Sequence, residues 1–224
     1  MGYQLNFGWL PQYLPVLIDG IGVTIYLIAV GAVLGCLLGT ICAWTRALGP
    51  QWARPVVVAY VELIRNTPFM IQLFFIFFGL PSLGVQMGEL EAATLAMIVN
   101  LGAYSCEIIR AGIQATPRGQ FEAGASLAMT PFETFYHVVL IPALQRIWPA
   151  LSSQIVIVML GSAVVSQIAA QDLSYAANFI QSRNFRAFET YIVSTLIYLV
   201  LSILLRQVLA GVGWTLFPKR KAVR

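Results

Sequence analysis

Residues 18–44 read Ile18-DGIGVTIYLIAVGAVLGCLLGTICA-Trp44, an apolar run whose one charge, Asp19, stands at its start. About 20 consecutive apolar residues suffice to cross the hydrocarbon core of a bilayer as a helix, and this run exceeds that. Within it Gly31, Gly35 and Gly39 recur every four residues. That spacing puts all three on one helix face, the small-xxx-small pattern that lets two helices approach closely in lipid.

Working outward, four further stretches read as spans: about 55–80, 91–110, 147–170 and 191–211. Pro68 lies inside the second, where it removes a backbone donor and is expected to kink or break the helix. The fold class is therefore all-α: a polytopic membrane protein with about five transmembrane helices, forming one transmembrane domain over residues 1–224. Composition agrees. Of the 224 residues 59% are hydrophobic and 10% charged, with mean hydropathy +0.81. A soluble domain carries roughly a quarter charged residues, so membrane lipid is the surrounding this chain is suited to. Residues 1–6 contain no Lys or Arg ahead of the first apolar run, which argues against a cleaved signal peptide.

Basic residues set the orientation. With the N-terminus outside, the inner segments hold Arg46, Arg54, Arg110, Arg118, Arg146, Arg206, Lys219, Arg220, Lys221 and Arg224, and the outer ones only Arg183 and Arg186; Arg65 lies within the second span. The expectation is N-terminus outside, C-terminus cytoplasmic. The net charge of +4 is thus explained by topology, and without basic clusters interleaved with aromatics it does not point to nucleic acid.

Residues 111–146 separate the third and fourth spans and face the cytoplasm in this reading. Thr116-Pro117 is a plausible helix start, residues 119–129 suit a short helix, and Thr130-Pro131 can cap and start the next. Such a helix is placed to dock on another protein; a solvated connection is the alternative.

Glu122-Ala123-Gly124, then Ala128 and Ile141-Pro142, resemble the cytoplasmic "EAA" loop of bacterial ATP-binding-cassette importer permeases. The usual loop has Ala in place of Gly124, Gly in place of Ala128 and Leu in place of Ile141, and its Leu-Pro pair falls one residue earlier. Glu62-Leu-Ile-Arg65-Asn-Thr67-Pro68, continuing to Gln72, and Arg110 through Glu122 with Gly112-Ile113, Pro117, Gly119 and Gln120 are similar to motifs of the polar amino-acid uptake branch of that family. The resemblance spans nearly the whole chain. It implies a bacterial inner-membrane permease moving a polar or charged amino acid by alternating access. It implies a coupling helix docked on a cytoplasmic ATPase subunit (two expected), with Arg118, Glu122, Ala123, Gly124 and Ala128 as coupling residues. It also implies an extracytoplasmic amino-acid-binding protein as partner. Since five spans make a thin wall for a pathway, a second permease chain, identical or homologous, is expected as well.

ATP hydrolysis is expected in a partner chain. A P-loop needs a lysine behind a glycine-rich turn, and the only lysines here are Lys219 and Lys221 in the tail. No cofactor is expected on this chain, with ATP and Mg²⁺ on the ATPase, and no enzyme activity of its own. His137 has no partner at a spacing that suggests a triad or metal site. Cys36, Cys42 and Cys106 lie in apolar runs and read as packing residues rather than a disulfide or metal framework.

Polar residues inside spans line pathways or pair with one another. Asn100, Tyr104 and Glu107 share one face of the third span, Glu107 about 10 Å deeper toward the cytoplasm at about 1.5 Å per residue. They form either a substrate-contacting stripe or a structural set, with Glu107 paired to Arg110 at i+3. Ser162 and Ser166 share a face of the fourth span, and Asp172 follows toward the outer mouth; these complete the candidate pathway residues. Glu62 and Arg65 at i, i+3, with Thr67 and Pro68, form a candidate gating or structural pair beside a helix break. A cationic substrate needs a carboxylate such as Asp172 or Glu107, whereas a zwitterion or anion can use helix ends and amides; the sequence leaves both open. Residues 171–189, with Asn178, Arg183 and Arg186, form either a landing surface for a binding protein or a solvated loop. An ion-coupled secondary transporter subunit for a small polar solute is the alternative function, and it leaves the coupling-like loop unexplained. A membrane enzyme or scaffold requires a reactive constellation, or an absence of solute flux.

Overall fold

The computed structural model describes residues 4–217. Lys219, Arg220, Lys221 and Arg224, counted above among the inner basic residues, lie outside them. Every regular element among the described residues is helical. In chain order these are α1 (Leu10–Leu48), α2 (Arg54–Arg65), α3 (Phe69–Ser82), α4 (Glu89–Gln114), α5 (Arg118–Ser126), α6 (Pro131–Ile168), α7 (Leu173–Asn184) and α8 (Ala187–Leu216). The helices α1, α4, α6 and α8 are each long and apolar enough to cross a bilayer. Large apolar side chains on α1 and α8, such as Val33, Leu37, Leu199 and Val208, point outward. A surface of that kind is stable against lipid, not water, and the chain is a multi-pass membrane protein.

The second span is broken rather than kinked. At Asn66-Thr67-Pro68 the axes of α2 and α3 diverge by 112°, and the pair counts as a fifth span only when taken together. Pro68 sits extended at ψ 138° before the first turn of α3, because its ring cannot continue α2 and it has no N–H to donate.

The stretch 111–146 is only partly a connection. A capping box at Thr130, whose Oγ1 accepts from the Glu133 N–H while the Glu133 carboxylate accepts from the Thr130 N–H at 2.8 Å, starts α6 at Pro131. The helix then runs 38 residues, through a π-helical turn at Thr134–Val139. Phe135, Val139 and Ala143 on its inner face are buried, while Glu133, His137, Gln145 and Arg146 are exposed. That amphipathic face is why the first part of α6 reads as a polar linker. The connection proper narrows to α5 and its flanking turns.

Helix α1 lies along α4, and the glycine stripe is where they touch. A Cβ on Gly31 would stand 3.4 Å from Met97 Cβ, on Gly35 3.0 Å from Leu101 Cβ, and on Gly39 2.5 Å from Ser105 Cβ. Both series advance by four, so two i+4 ridges meet in register, and backbone contact replaces side-chain interdigitation. This pairing holds α4, with its polar stripe, at the centre of the bundle.

Candidate functional site

The helix break and the stripe on α4 meet in one cleft. It has a volume of about 330 Å³ and is lined by Thr67, Pro68 and Phe69 from the break, Asn100 and Tyr104 from α4, and Gln154, Ile157, Val158 and Gly161 from α6. Breaking α2 frees carbonyls that lipid cannot satisfy. Gln72, buried on the first turn of α3, answers them: its Nε2 donates to Ile64 O at 2.7 Å and to Thr67 O and Oγ1 at 2.9 Å each. Its Oε1 accepts from Asn100 Nδ2 at 2.9 Å. One amide therefore fixes the break and ties it to α4. The amino end of α3, the positive end of its dipole, forms part of the cleft wall through Phe69.

Glu107 does not line the cleft. Its carboxylate accepts from Arg110 Nη2 at 2.8 Å and from Arg46 Nη1, with Arg65 Nη1 at 3.6 Å. Arg65 Cζ also stands 5.7 Å from the Tyr104 ring centroid, joining this cluster to the cleft. The expected Glu62–Arg65 pair is not made. Glu62 is exposed and accepts from Asn66 Nδ2 at 3.0 Å, while Arg65 turns across to α4, where one carboxylate already attracts two other guanidinium groups.

The outer residues of the candidate pathway are also placed differently. From Ser162 to Ile168 the chain is 3₁₀-helical; at three residues per turn, Ser162 and Ser166 fall about 120° apart rather than on one face. Both hydroxyls bond the chain itself, donating to Met159 O and Ala163 O. Asp172 is fully buried as the N-cap of α7. It accepts from the Tyr175 N–H at 2.9 Å and the Tyr198 hydroxyl at 3.0 Å, beside a Thr24 hydroxyl that accepts from the Leu173 N–H. Burial pushes this carboxyl up to about 6 despite the bonds it accepts. Asp172 is thus a knot between α1, α7 and α8 rather than a residue of the mouth.

Residues 171–189 fold mainly as α7, which ends at Phe185 in a left-handed conformation and 89% exposed. Arg183 lies over the Phe179 ring, Asn178 accepts from the Tyr191 hydroxyl, and Arg186 pairs with Glu189 at 3.0 Å.

At the other end of the bundle α5 presents Arg118, Glu122 and Ala123 on its exposed side, and Ala128, in the turn that follows, is exposed as well. Thr116 is not its cap: the hydroxyl donates back to Gly112 O, and Pro117 takes the N-cap position. Gly124 is buried, and a Cβ there would come within 2.6 Å of Thr134 Cγ2 and Oγ1. So Gly124 seats α5 against α6 and does not face outward. Ala128 has φ 54°; around it the Met129 N–H donates to Gly124 O and the Ala128 N–H to Ala125 O, a Schellman turn. Glycine fits that conformation without strain, which explains why glycine is usual here in the loop this segment resembles.

A family described as "Binding-protein-dependent transport system inner membrane component" matches residues 35–212. The chain belongs to this family. It is a transport component rather than an enzyme. As an inner-membrane component it is 33% identical to the probable amino-acid ABC transporter permease protein y4tG of Sinorhizobium fredii, over 92% of this chain and 89% of that one. It is 35% identical to the L-cystine transport system permease protein TcyB of Bacillus subtilis, over 88% and 85%. It is 30% identical to the glutamine transport system permease protein GlnP of Escherichia coli, over 92% and 95%. Among solved structures, a chain of an amino acid ABC transporter crystallised with histidines superposes with TM-score 0.83 at 34% identity, covering 94% of this chain and 99% of that one. The inward-facing MetNI methionine ABC transporter, at TM-score 0.76 and 19% identity over 95% and 99%, shares the fold.

Three polar or small groups that line this permease's cleft or brace it from behind escape a reading by residue type. Gln72 was visible only as the end of a motif. Gln154 is an amide in the apolar fourth span, which is a signal in itself, but only packing shows that it lines the same cleft as Asn100 and Tyr104. Gly161 marks the point where α6 tightens to a 3₁₀ helix, and no local composition announces it.

Proposed function

We propose that this chain is the membrane permease of an ATP-driven importer that carries a polar amino acid into a bacterial cell through the cleft at Thr67–Phe69, Asn100, Tyr104 and Gln154. The observation that carries the reading is the broken span. A discontinuous helix whose amino end meets a polar stripe is a general form of substrate site in transporters, and here Gln72 holds that geometry in place. The relatives' printed substrates, glutamine and L-cystine, support the amino-acid class. The Asn100, Tyr104 and Gln154 side chains supply uncharged donors and acceptors suited to an amino acid's head group and polar side chain, while the Thr67 hydroxyl donates to Leu63 O and accepts from Gln72 within the break.

In this reading α5 docks on a cytoplasmic ATPase, two copies per complex, through Arg118, Glu122 and Ala123. ATP and Mg²⁺ act on those subunits. A second permease chain closes the pathway, and an extracytoplasmic binding protein delivers substrate to the end near α7. The N-terminus lies outside and the C-terminus in the cytoplasm. In support, Arg65 joins Arg46 and Arg110 around Glu107, adding to the basic residues at the inner end. An odd number of crossings requires α2 and α3 to act as one span, and the accessibility of cysteines placed at the two termini tests this. The function is tested by reconstituting the complex in vesicles and screening amino acids with the binding protein. One or more is expected to stimulate ATP hydrolysis and uptake together; stimulation by none would overturn the substrate class.

A further inference from the structure

We propose that the cleft accepts a polar amino acid with a neutral or acidic side chain and excludes one with a cationic side chain; this rests on the amino-acid importer reading above. Removing an ammonium or guanidinium group from water in such a site requires a carboxylate partner. All nine acidic residues of the chain lie within the described residues, and none lines the cleft. The two carboxylates that the sequence offers a cation are both committed. Asp172 is fully buried, with its two oxygens bonded to Tyr175 and Tyr198. Glu107 faces Arg46, Arg65 and Arg110. One carboxylate among three guanidinium groups leaves net positive charge directly beyond Tyr104, a residue of the cleft wall over whose ring Arg65 stands.

The consequence is a filter of one sign. A cationic side chain entering past Asn100 meets uncharged amides and hydroxyls, then a repulsive field about 10 Å further along α4. A carboxamide is satisfied by Gln154 and Asn100, and a carboxylate is additionally drawn by the same field. Three guanidinium groups against one carboxylate leave about two net unit charges, and each, at that distance and the effective dielectric of protein, amounts to about tenfold in affinity.

The test is equilibrium binding of radiolabelled glutamine, glutamate, arginine and lysine to the whole purified complex in detergent, without the binding protein. Glutamine or glutamate is expected to bind, with arginine and lysine weaker by about tenfold or more. Gln154→Glu, which puts a carboxylate on the cleft wall, is expected to raise arginine binding about tenfold over the unaltered complex. Arginine or lysine binding as tightly as glutamine and glutamate would overturn the charge rule while leaving the importer reading in place, and so would a Gln154→Glu complex with unchanged arginine binding. Binding of no amino acid would remove both.

Discussion

Gln72 and Asn100 lie 28 positions apart and are joined by one hydrogen bond of 2.9 Å from the Asn100 amide to the Gln72 carbonyl oxygen. Gln72 spends its own donors on the broken end of α2, so Asn100 holds the break through an intermediary.

Two substitutions therefore separate positioning from contact. Asn100→Ala leaves the Gln72 oxygen without its donor and is expected to destabilise the fold by about 0.5–2 kcal/mol, the range for hydrogen bonds between membrane helices. Gln72→Ala frees the carbonyls of Ile64 and Thr67 as well and is expected to cost more. Because Gln72 is not among the residues lining the cleft, its loss acts on substrate binding indirectly, by moving Thr67 and Pro68 and by releasing the Asn100 amide. Thermal unfolding in detergent, set beside amino-acid binding, measures both. A Gln72→Ala protein as stable as the parent would remove Gln72 from this role.

The segment from α5 into α6 gives a pair of predictions of opposite sign. Ala128 sits at φ 54°, where a Cβ costs about 1 kcal/mol, so Ala128→Gly is expected to raise stability by about 0.5–1 kcal/mol. Gly124→Ala, which restores the residue more usual in the resembled loop, drives a Cβ to 2.6 Å from Thr134 and is expected to lower stability by about 1–3 kcal/mol. Unfolding of the two variants measures the signs. A gain for Gly124→Ala would mean that α5 is not seated on α6 as described.

These two positions also show how far the sequence could be read. The departures at 124 and 128 were visible as letters, but their meaning depends on what lies opposite and on one backbone angle, neither of which is local. Where the determinant is local or periodic, the sequence is enough: Gly31, Gly35 and Gly39 predict a close helix contact because spacing alone fixes a face, and Pro68 predicts a kink or a break because its ring cannot continue a helix. Pairing was less legible. Glu62 and Arg65 have suitable spacing, yet Arg65 finds Glu107 across the bundle, since long side chains choose partners in space. Asp172 read as a mouth residue because an acid after an apolar run suggests exposure; its role as the cap of α7 depends on Tyr198, which arrives from α8.

The arginine cluster predicts a contrast between two acids. Glu107→Gln removes the charge that faces Arg46, Arg65 and Arg110 and leaves three like charges together. For partly buried groups, with Glu107 18% exposed and Arg46 16% exposed, a loss of about 1–3 kcal/mol is expected, below the full range for buried pairs because solvent still screens the site. Glu62→Gln keeps an oxygen for Asn66 and is expected to change stability by less than about 0.5 kcal/mol. Chemical or thermal unfolding of both variants at one pH checks the contrast, and equal losses would contradict the cluster.

Asp172 predicts a dependence on pH. Its carboxyl is raised to about 6 from an ordinary 3.8 because burial disfavours the charged form. The folded protein therefore holds the proton more tightly than the unfolded chain. The resulting stabilisation is fully present below about pH 4 and declines as pH rises toward and through 6, by about 3 kcal/mol in all. The groups the carboxylate bonds, the Tyr175 amide and the Tyr198 hydroxyl, are uncharged and cannot reverse that sign, and Asp19 on neighbouring α1 is exposed. Asp172→Asn retains an oxygen for the Tyr175 amide and never carries charge. The stability difference, variant minus parent, is expected to grow by about 3 kcal/mol between pH 4 and pH 8. Other carboxylates titrate alike in both proteins and cancel. Hydrogen exchange at the first amides of α7 gives a local reading of the same change. A difference that is flat with pH would show that Asp172 keeps an ordinary acidity, and that the knot between α1, α7 and α8 is open to water.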